Sequence, residues 1–422
     1  MRFGRDGLAL GRRAGSNALA TTAVADNVPY ARLYPYYAEL CALSEARKKP
    51  GFGARFRSGR GGHSLLYLNG VCRDQGAGYP TLRLCESDLQ AASSGASISA
   101  NSHYRNANWV AAEGRDFVFQ GLLAPGEKLT RAGYERTQCH AKEMGLLDGV
   151  EFHERLFRGK PPGMSKRDYM YEISVATDYA VRFGRDVYRV RVPLDRARMG
   201  RLVDCLNGLN ELYRDGRKEY RWRLFNDNCS HVAHNALSAA GIWRPWPTGQ
   251  FFATAAFNFP VPKNEFVDLV LRTNDLPIED PEAIYEDEIA RWLLLEHDTL
   301  PTAPGALAAA DRAIEDNAVY DIAKLRLIFY DHYLWGRYRD HFARIFNETR
   351  YLDHRVGLRY FRARYALALR ARRAVRASAA TSPERERFYV SYERYIARAA
   401  KEVERQLAML SAPAAAPTEA LP

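Results

Sequence analysis

Apolar residues fall in short runs over the first half of the chain and in longer stripes, spaced three and four apart, towards the end. Residues 1–30 carry no sustained pattern and read as a flexible leader. The stretch "YARLYPYYAELCALSEARKK" predicts a short amphipathic helix, broken by the Gly/Arg-rich loop "PGFGARFRSGRGG". "HSLLYLNGV" is an apolar, strand-like run, and the turn "RDQGAGYP" leads to "TLRLCE" as its candidate partner strand. "SISANSHYRNANWVAAEGRDFVFQG" reads as loop plus strand, and "DVYRVRVPLD" alternates as a half-buried strand does. "RARMGRLVDCLNGLNELY" is helical with one apolar stripe. The Pro- and aromatic-rich "WRPWPTGQFFATAAFNFPVPKNE" is predicted to wrap over a surface, and "LPTAPGALA" is the linker candidate. Long helices fill 307–411, and the Ala/Pro-rich residues 412–422 read as a disordered tail. The division expected is a leader (1–30), an α+β domain (31–270), a connecting segment (271–306), a helical region (307–411) and the tail.

The segment "FNDNCSHVAHNALSAAG" concentrates the chemistry. On a helix that begins after Asn228 and turns about 100° per residue, Cys229 shares a face with Val232, Ala233, Ala236, Leu237 and Ala240. His231 and His234 fall on the other side with Asn235 and Ser238, away from the thiol. A Cys-x-His-x-x-His metal site would therefore need the helix unwound, and no further zinc ligands stand at ordinary spacing, so no metal is expected. A nucleophile fits better. Asn228 suits the N-cap and Gly241 closes the helix at its far end. The partial positive charge of a helix start favours a thiolate, and its free N–H groups can hold an oxyanion. A helix-start cysteine is still more often structural than catalytic, and it needs a base. His63, at the start of "HSLLYLNGV" behind flexible glycines, is the candidate, although a strand-end histidine facing water is the plainer reading.

Composition narrows the partners. The chain has 422 residues with 61 Lys and Arg against 50 Asp and Glu, a formal charge of +11, which suits phosphate-bearing or anionic-envelope partners without choosing one. No stretch approaches the length of a transmembrane helix. The first residues lack the apolar core of a secretory signal, which points to the cytoplasm. Six cysteines are too sparse for a disulfide scaffold, and none forms a CxxC pair. Cys72 and Cys85 could pair in an oxidising compartment, but two reduced, half-buried thiols are the simpler reading. The acidic run "IEDPEAIYEDEIARW" reads as a solvated helix start, and "GRGG" lacks the residues of a phosphate-binding loop. "YEISVATDYAVRFGRDVYRV" resembles an ADP-ribosyltransferase strand only superficially, since the flanking motifs are missing. The Arg- and aromatic-rich "RYFRARYALALRARRAVRAS" is expected in a packed bundle rather than on nucleic acid.

Taken in order, "GGHSLLYL", the strand "VYRVRVPL" with its helix, and "YRWRLFNDNCSHVAHNAL" resemble the circularly permuted NlpC-type papain-like fold, in which the catalytic His precedes the Cys. Within it, the likeness is to the periplasmic N-terminal domain family of the lipoprotein N-acyltransferase Lnb, over residues 55–245. The resemblance implies an α+β papain-like core followed by helices, a small antiparallel sheet on the Cys229 helix, and a periplasmic setting. It makes Cys229 the nucleophile and His63 the base of a cysteine hydrolase or acyltransferase acting on an amide, ester or thioester, with no cofactor. The third, orienting residue is left among His103, Asn106, Asn108 and Asn69, with His103 preferred. Cys229 is then expected to alkylate before the other five cysteines, with a depressed pKa. The implied partner is an acyl- or peptide-bearing substrate, with the cell envelope as one source. The competing class is a non-catalytic module that binds an anionic surface or nucleic acid through its basic helices.

Overall fold

The computed structural model describes residues 27–52, 62–251, 255, 259–322, 338–375 and 382–411. Nearly all of the leader, most of the Gly/Arg-rich loop and the whole tail lie outside the described residues. The chain divides into two compact units, one of Met1–Val270 with Ala308–Ile345 and one of Leu271–Leu307 with Phe346–Pro422. It mixes helices with a small antiparallel sheet, and no described helix is long and apolar enough to cross a membrane.

Among the described residues there are eight strands, all in the first unit but for Leu307 at the boundary: β1 Tyr37–Leu43, β2 His63–Asn69, β3 Val71–Arg73, β4 Leu82–Leu84, β5 Gly95–Ser99, β6 Val110–Glu113, β7 Val187–Pro193 and β8 Leu307–Asp311. Six form one sheet in the order β6-β5-β2-β1-β7-β8, while β3 and β4 pair separately. β1 lies near the middle, antiparallel to both β2 and β7. The sequence reading had placed this segment in a helix. Every residue of β1 is buried, so it shows no polar–apolar alternation to mark it as a strand. "TLRLCE" does supply a strand, but β4 pairs with β3, and the partners of β2 are β1 and β5. β7 is buried on both faces rather than half-buried. Two long helices complete the part of this unit that concerns the site: α1 (Arg196–Glu211) and α2 (Cys229–Ala239).

Gly62 lets the β1–β2 connection close. It has φ +79°, and a Cβ there would sit 2.3 Å from the carbonyl oxygen of Leu43, which pairs with His63. His63 therefore starts β2 hard against the end of β1.

Charge buried inside the sheet explains why β7 tolerates two arginines. Glu39 of β1 is fully buried, and Arg191 is its register partner across the strand pair. Its carboxylate meets Arg115 at 2.5 Å, Arg189 at 2.8 Å and Arg191 at 3.3 Å, and Arg189 also binds Asp311 of β8 at 2.5 Å. Burial alone would raise the pKa of Glu39, but the three guanidiniums outweigh it and hold the carboxyl far below the carboxylate range.

The second unit is helical. α3 (Glu288–His297), α4 (His354–Val375) and α5 (Pro383–Ser411) enclose Leu294, Leu358, Phe361, Tyr365, Phe388 and Tyr392. Leu276, Ile278 and Leu300 belong to the same core, so the expected connecting segment is part of the bundle and its linker candidate is packed. The segment ends in β8 rather than in the helix predicted from residue 307. The acidic run is spent on structure: Asp280 and Asp287 cap helices, and Glu279 binds Arg364 at 2.6 Å. Among the described side chains of the Arg-rich stretch, Tyr365 faces inward and Arg364 is buried on Glu279.

Glu39→Ala leaves three buried guanidiniums around an empty position. It is expected to cost about 3–5 kcal/mol in urea or thermal unfolding. A loss within about 0.5 kcal/mol, the range of ordinary surface changes, would show that the cluster does not hold the sheet.

Candidate active site

α2 begins where the sequence places it. Asn228 has an extended backbone and is the N-cap; its side chain accepts from the N–H groups of Ser230 and His231 at 2.8 and 3.1 Å. The ring of His231 closes a capping box by accepting from the Asn228 N–H at 3.2 Å. The Asn228 amide also donates to the carbonyls of Leu224 and Pro260, which anchors the helix start from both sides. With Ser230 and His231 occupied by the cap, the N–H of Cys229 is the first-turn donor that the cap leaves to an oxyanion.

The Cys229 thiol lies at the first peptide of β2. Its sulfur accepts from the N–H of Ser64 at 3.4 Å, and Ser64 and Ser230 share a hydroxyl–hydroxyl bond of 2.8 Å. His63 is the residue next to Ser64, so the thiol rests against the backbone of the strand end that carries the imidazole. No direct hydrogen bond joins the two, a looseness common in unliganded catalytic pairs.

His63 is held from behind. Ser99 pairs with Leu65 in the β2–β5 ladder, which puts its side chain diagonal to His63 on the same face. The His63 Nε2 to Ser99 Oγ distance is 2.9 Å, and Ser99 donates to Asp178 Oδ1 at 2.6 Å. Having given its one proton to Asp178, the hydroxyl must accept from His63, so Nε2 carries the hydrogen and Nδ1 is the basic nitrogen. Asn101 steadies Asp178 with a further donation of 2.8 Å. Asp178 sits in a tight loop between Ala176 (φ 60°) and Ala180 (φ 49°), two left-handed positions held by alanine rather than glycine. Each such position costs of order 1 kcal/mol, and such outliers gather at functional sites.

Cys229 and His63 are both neutral near pH 7. Burial raises the Cys229 thiol above its ordinary range, although N–H and hydroxyl groups of Ser64 and Ser230 pull the other way. Burial pushes His63 well below the usual histidine value, helped by the charge of Arg185. The depressed thiol expected from a helix start is thus reversed: desolvation here outweighs the helix dipole. Arg185, itself buried, donates to the carbonyls of Ala176 and Ser44 and lies close enough to Cys229 and Asp178 to couple with their charged forms. It is a fixed positive charge beside the site.

The other candidates do not bond to His63, although His103 is near enough for its charge to press the His63 pKa down. His103, the preferred orienting residue, makes no bond to His63; its ring lies 5.7 Å from Phe152, its Nδ1 has no partner, and burial drives its pKa down to about 4. Asn69 donates to Pro35 and Ala91, and Asn106 to Gly149. The Asn108 N–H donates to Asn210, on the side of α1. Ser99 holds the position offered to these four. His231 and His234 do face away from Cys229, yet both are buried: Trp243 stacks on His234 at 4.2 Å, and Asn235 exchanges two hydrogen bonds with Trp246. Trp243 and Trp246, at the start of the Pro- and aromatic-rich segment, thus cover this face of α2, while residues 252–254 and 256–258 of that segment lie outside the described residues. No group of three His, Cys, Asp or Glu among the described residues could hold a metal. The sulfurs of Cys72 and Cys85 are 2.7 Å apart, and both residues are buried rather than half-buried.

Ser99, Asp178 and Arg185 were missed. Asp178 and Arg185 lie in the stretch set aside as a chance ADP-ribosyltransferase likeness, where charged residues, these two among them, interrupt an apolar segment. That interruption was the available signal. No family description, curated protein or solved structure matches this chain.

With Cys229 buried and protonated, the exposed Cys139 is expected to alkylate first at pH 7, and Cys229 labelling should rise steeply with pH into the alkaline range. Peptide mass spectrometry after brief iodoacetamide treatment reads both. Cys229 labelled first below neutrality would mean a preformed thiolate–imidazolium pair.

Proposed function

We propose that this protein is a cysteine-dependent hydrolase or acyltransferase, built on a permuted papain-like core, that acts on an amide, ester or thioester. The observation that carries the reading is the convergence at one strand end: a thiol at a helix start bonded to the peptide after His63, and His63 held by Ser99 and Asp178. The order His63 before Cys229 and the antiparallel sheet against the helix support the permuted core.

The geometry suits a general-base reaction better than a stored ion pair. His63 Nδ1 takes the proton from Cys229 as sulfur bonds to the carbonyl carbon. The oxyanion meets the Cys229 N–H, with the Arg185 charge nearby. Ser99 and Asp178 keep the imidazolium oriented, and its proton leaves with the amine, alcohol or thiol. Water or an acceptor amine then cleaves the thioester. The substrate class is an acyl- or peptide-bearing molecule, and the cell envelope is one source of it.

Incubation with p-nitrophenyl esters and thioesters, followed by intact mass spectrometry, tests this reading. A covalent acyl adduct on Cys229 is expected, absent in Cys229→Ala. His63→Ala should slow turnover about 10²–10⁴-fold. Ser99→Ala should lower kcat more than it raises KM. Because His63 stays neutral below its ordinary value of 6.5, activity should persist as pH falls through 6.5 and fail only in more acid solution. No adduct on any acyl donor, with Cys229 intact and the chain folded, leaves a non-catalytic module on this scaffold.

A further inference from the structure

A second polar feature lies on the outward face of α2. A cavity of about 680 Å³ opens there, within the size range of small-molecule sites. Its lining includes four cations, Arg217, Lys218, Arg221 and Arg223, against two carboxylates, Glu219 and Asp227. The ion pairs made there are weak: Arg217 meets Asp215 at 3.2 Å and Arg221 meets Glu219 at 3.9 Å, all on exposed side chains. Burial pushes the Asp227 carboxyl up to about 6, so it still carries most of its charge at pH 7, and the four cations outnumber the two carboxylates.

The buried lining is unfinished. His231 and Asn108 both line the cavity, are 1% and 2% exposed, and carry buried polar atoms without partners, Nε2 and Oδ1. Nδ1 of His231 accepts from the Asn228 N–H, so Nε2 carries the hydrogen and is an unused donor. The Asn108 oxygen is an unused acceptor. An unmet buried polar atom is destabilising, and a ligand that met both would recover that cost.

We infer that this cavity binds a small oxyanion, a phosphate or a carboxylate on a molecule that also carries hydroxyl groups. The anion takes the arginine and lysine rim, one oxygen accepts from His231, and a hydroxyl donates to Asn108. The inference does not depend on Cys229 being a nucleophile, since the thiol lies on the other face of the helix. Asp227 and His231 nonetheless flank Cys229 in sequence, so an occupant would rest within one helix diameter, about 10 Å, of the sulfur.

Calorimetric titration of the full chain carrying Cys229→Ala, at low salt, separates this inference from the catalytic reading. Glycerol 3-phosphate and citrate are the phosphate and carboxylate probes, with glycerol as the neutral control. Saturable binding of at least one charged probe is expected, weakened by added salt. Arg221→Gln with Arg223→Gln should weaken it about tenfold or more, one charge-assisted hydrogen bond's worth. Asn108→Ala should weaken the hydroxylated probes more than inorganic phosphate. The inference is overturned if neither probe binds, if glycerol binds as well as they do, or if the arginine variants change nothing. Binding of a single-stranded oligonucleotide that neither small probe displaces would overturn it too.

Discussion

Burial of charge in the middle of the sheet is the constraint on which the first unit depends. Glu39 has no solvent, and its carboxylate is stable only because Arg115, Arg189 and Arg191 converge on it. Two of those arginines come from β7 and stand opposite Glu39 and Cys41, so a one-residue slip of β7 would turn both to the other face. Arg115 stacks over Tyr67 and Phe119, and Arg191 over Tyr30, which covers the guanidinium faces with aromatic carbon. A buried cluster of this kind is weak evidence for stability, but it discriminates strongly between registers. The register in turn places Leu43 opposite His63 and Leu65 opposite Ser99, and thereby the diagonal contact behind the imidazole.

The same exclusion of water shapes the candidate site. A helix N-terminus worth a fraction of a kcal/mol to about 2 kcal/mol cannot ionise a thiol that burial holds neutral. Nor can His63 store a proton, since burial and Arg185 both oppose its cationic form. A thiol attack in such a site would have to create charge as it proceeds, beside the fixed Arg185 guanidinium and the N–H of Cys229. Preorganised dipoles in a dry site are worth more than the same groups in water. The strained turn around Asp178 fits this arrangement: a carboxylate that orients a relay must not move, and two left-handed alanines are tolerated where the surroundings dictate the backbone.

Local signals were legible in the sequence and collective ones were not. The helix at Cys229, its Asn228 cap and the strand at His63 follow from periodicity and capping chemistry over a few residues. β1 was not legible, because a strand buried on both faces loses its alternation and "YYAELCAL" suits a helix equally well. The burial of Arg189 and Arg191 depends on Glu39, some 150 positions earlier, and no local pattern announces such a partner. Ser99 failed for a related reason. A serine is a weak candidate beside His103 and three asparagines until the β2–β5 register shows which side chain reaches the imidazole.

The faces of α2 show how one short helix can carry two kinds of chemistry. The apolar stripe that the sequence displays is the one that buries Cys229 and seats the thiol against β2. On the opposite face the polar residues are withdrawn from water by Trp243 and Trp246, and His231 serves as both capping residue and cavity wall. Its Nδ1 is committed to the Asn228 N–H, which fixes the tautomer and leaves Nε2–H a buried donor without a partner. The cap that sets the position of Cys229 is therefore the cap that orients the cavity's donor. A ligand bonded to His231 would strengthen the capping box, since a satisfied Nε2–H favours the tautomer that the Asn228 N–H requires. Occupancy of the cavity and order at the first turn of α2, where the thiol resides, are thus coupled through one imidazole.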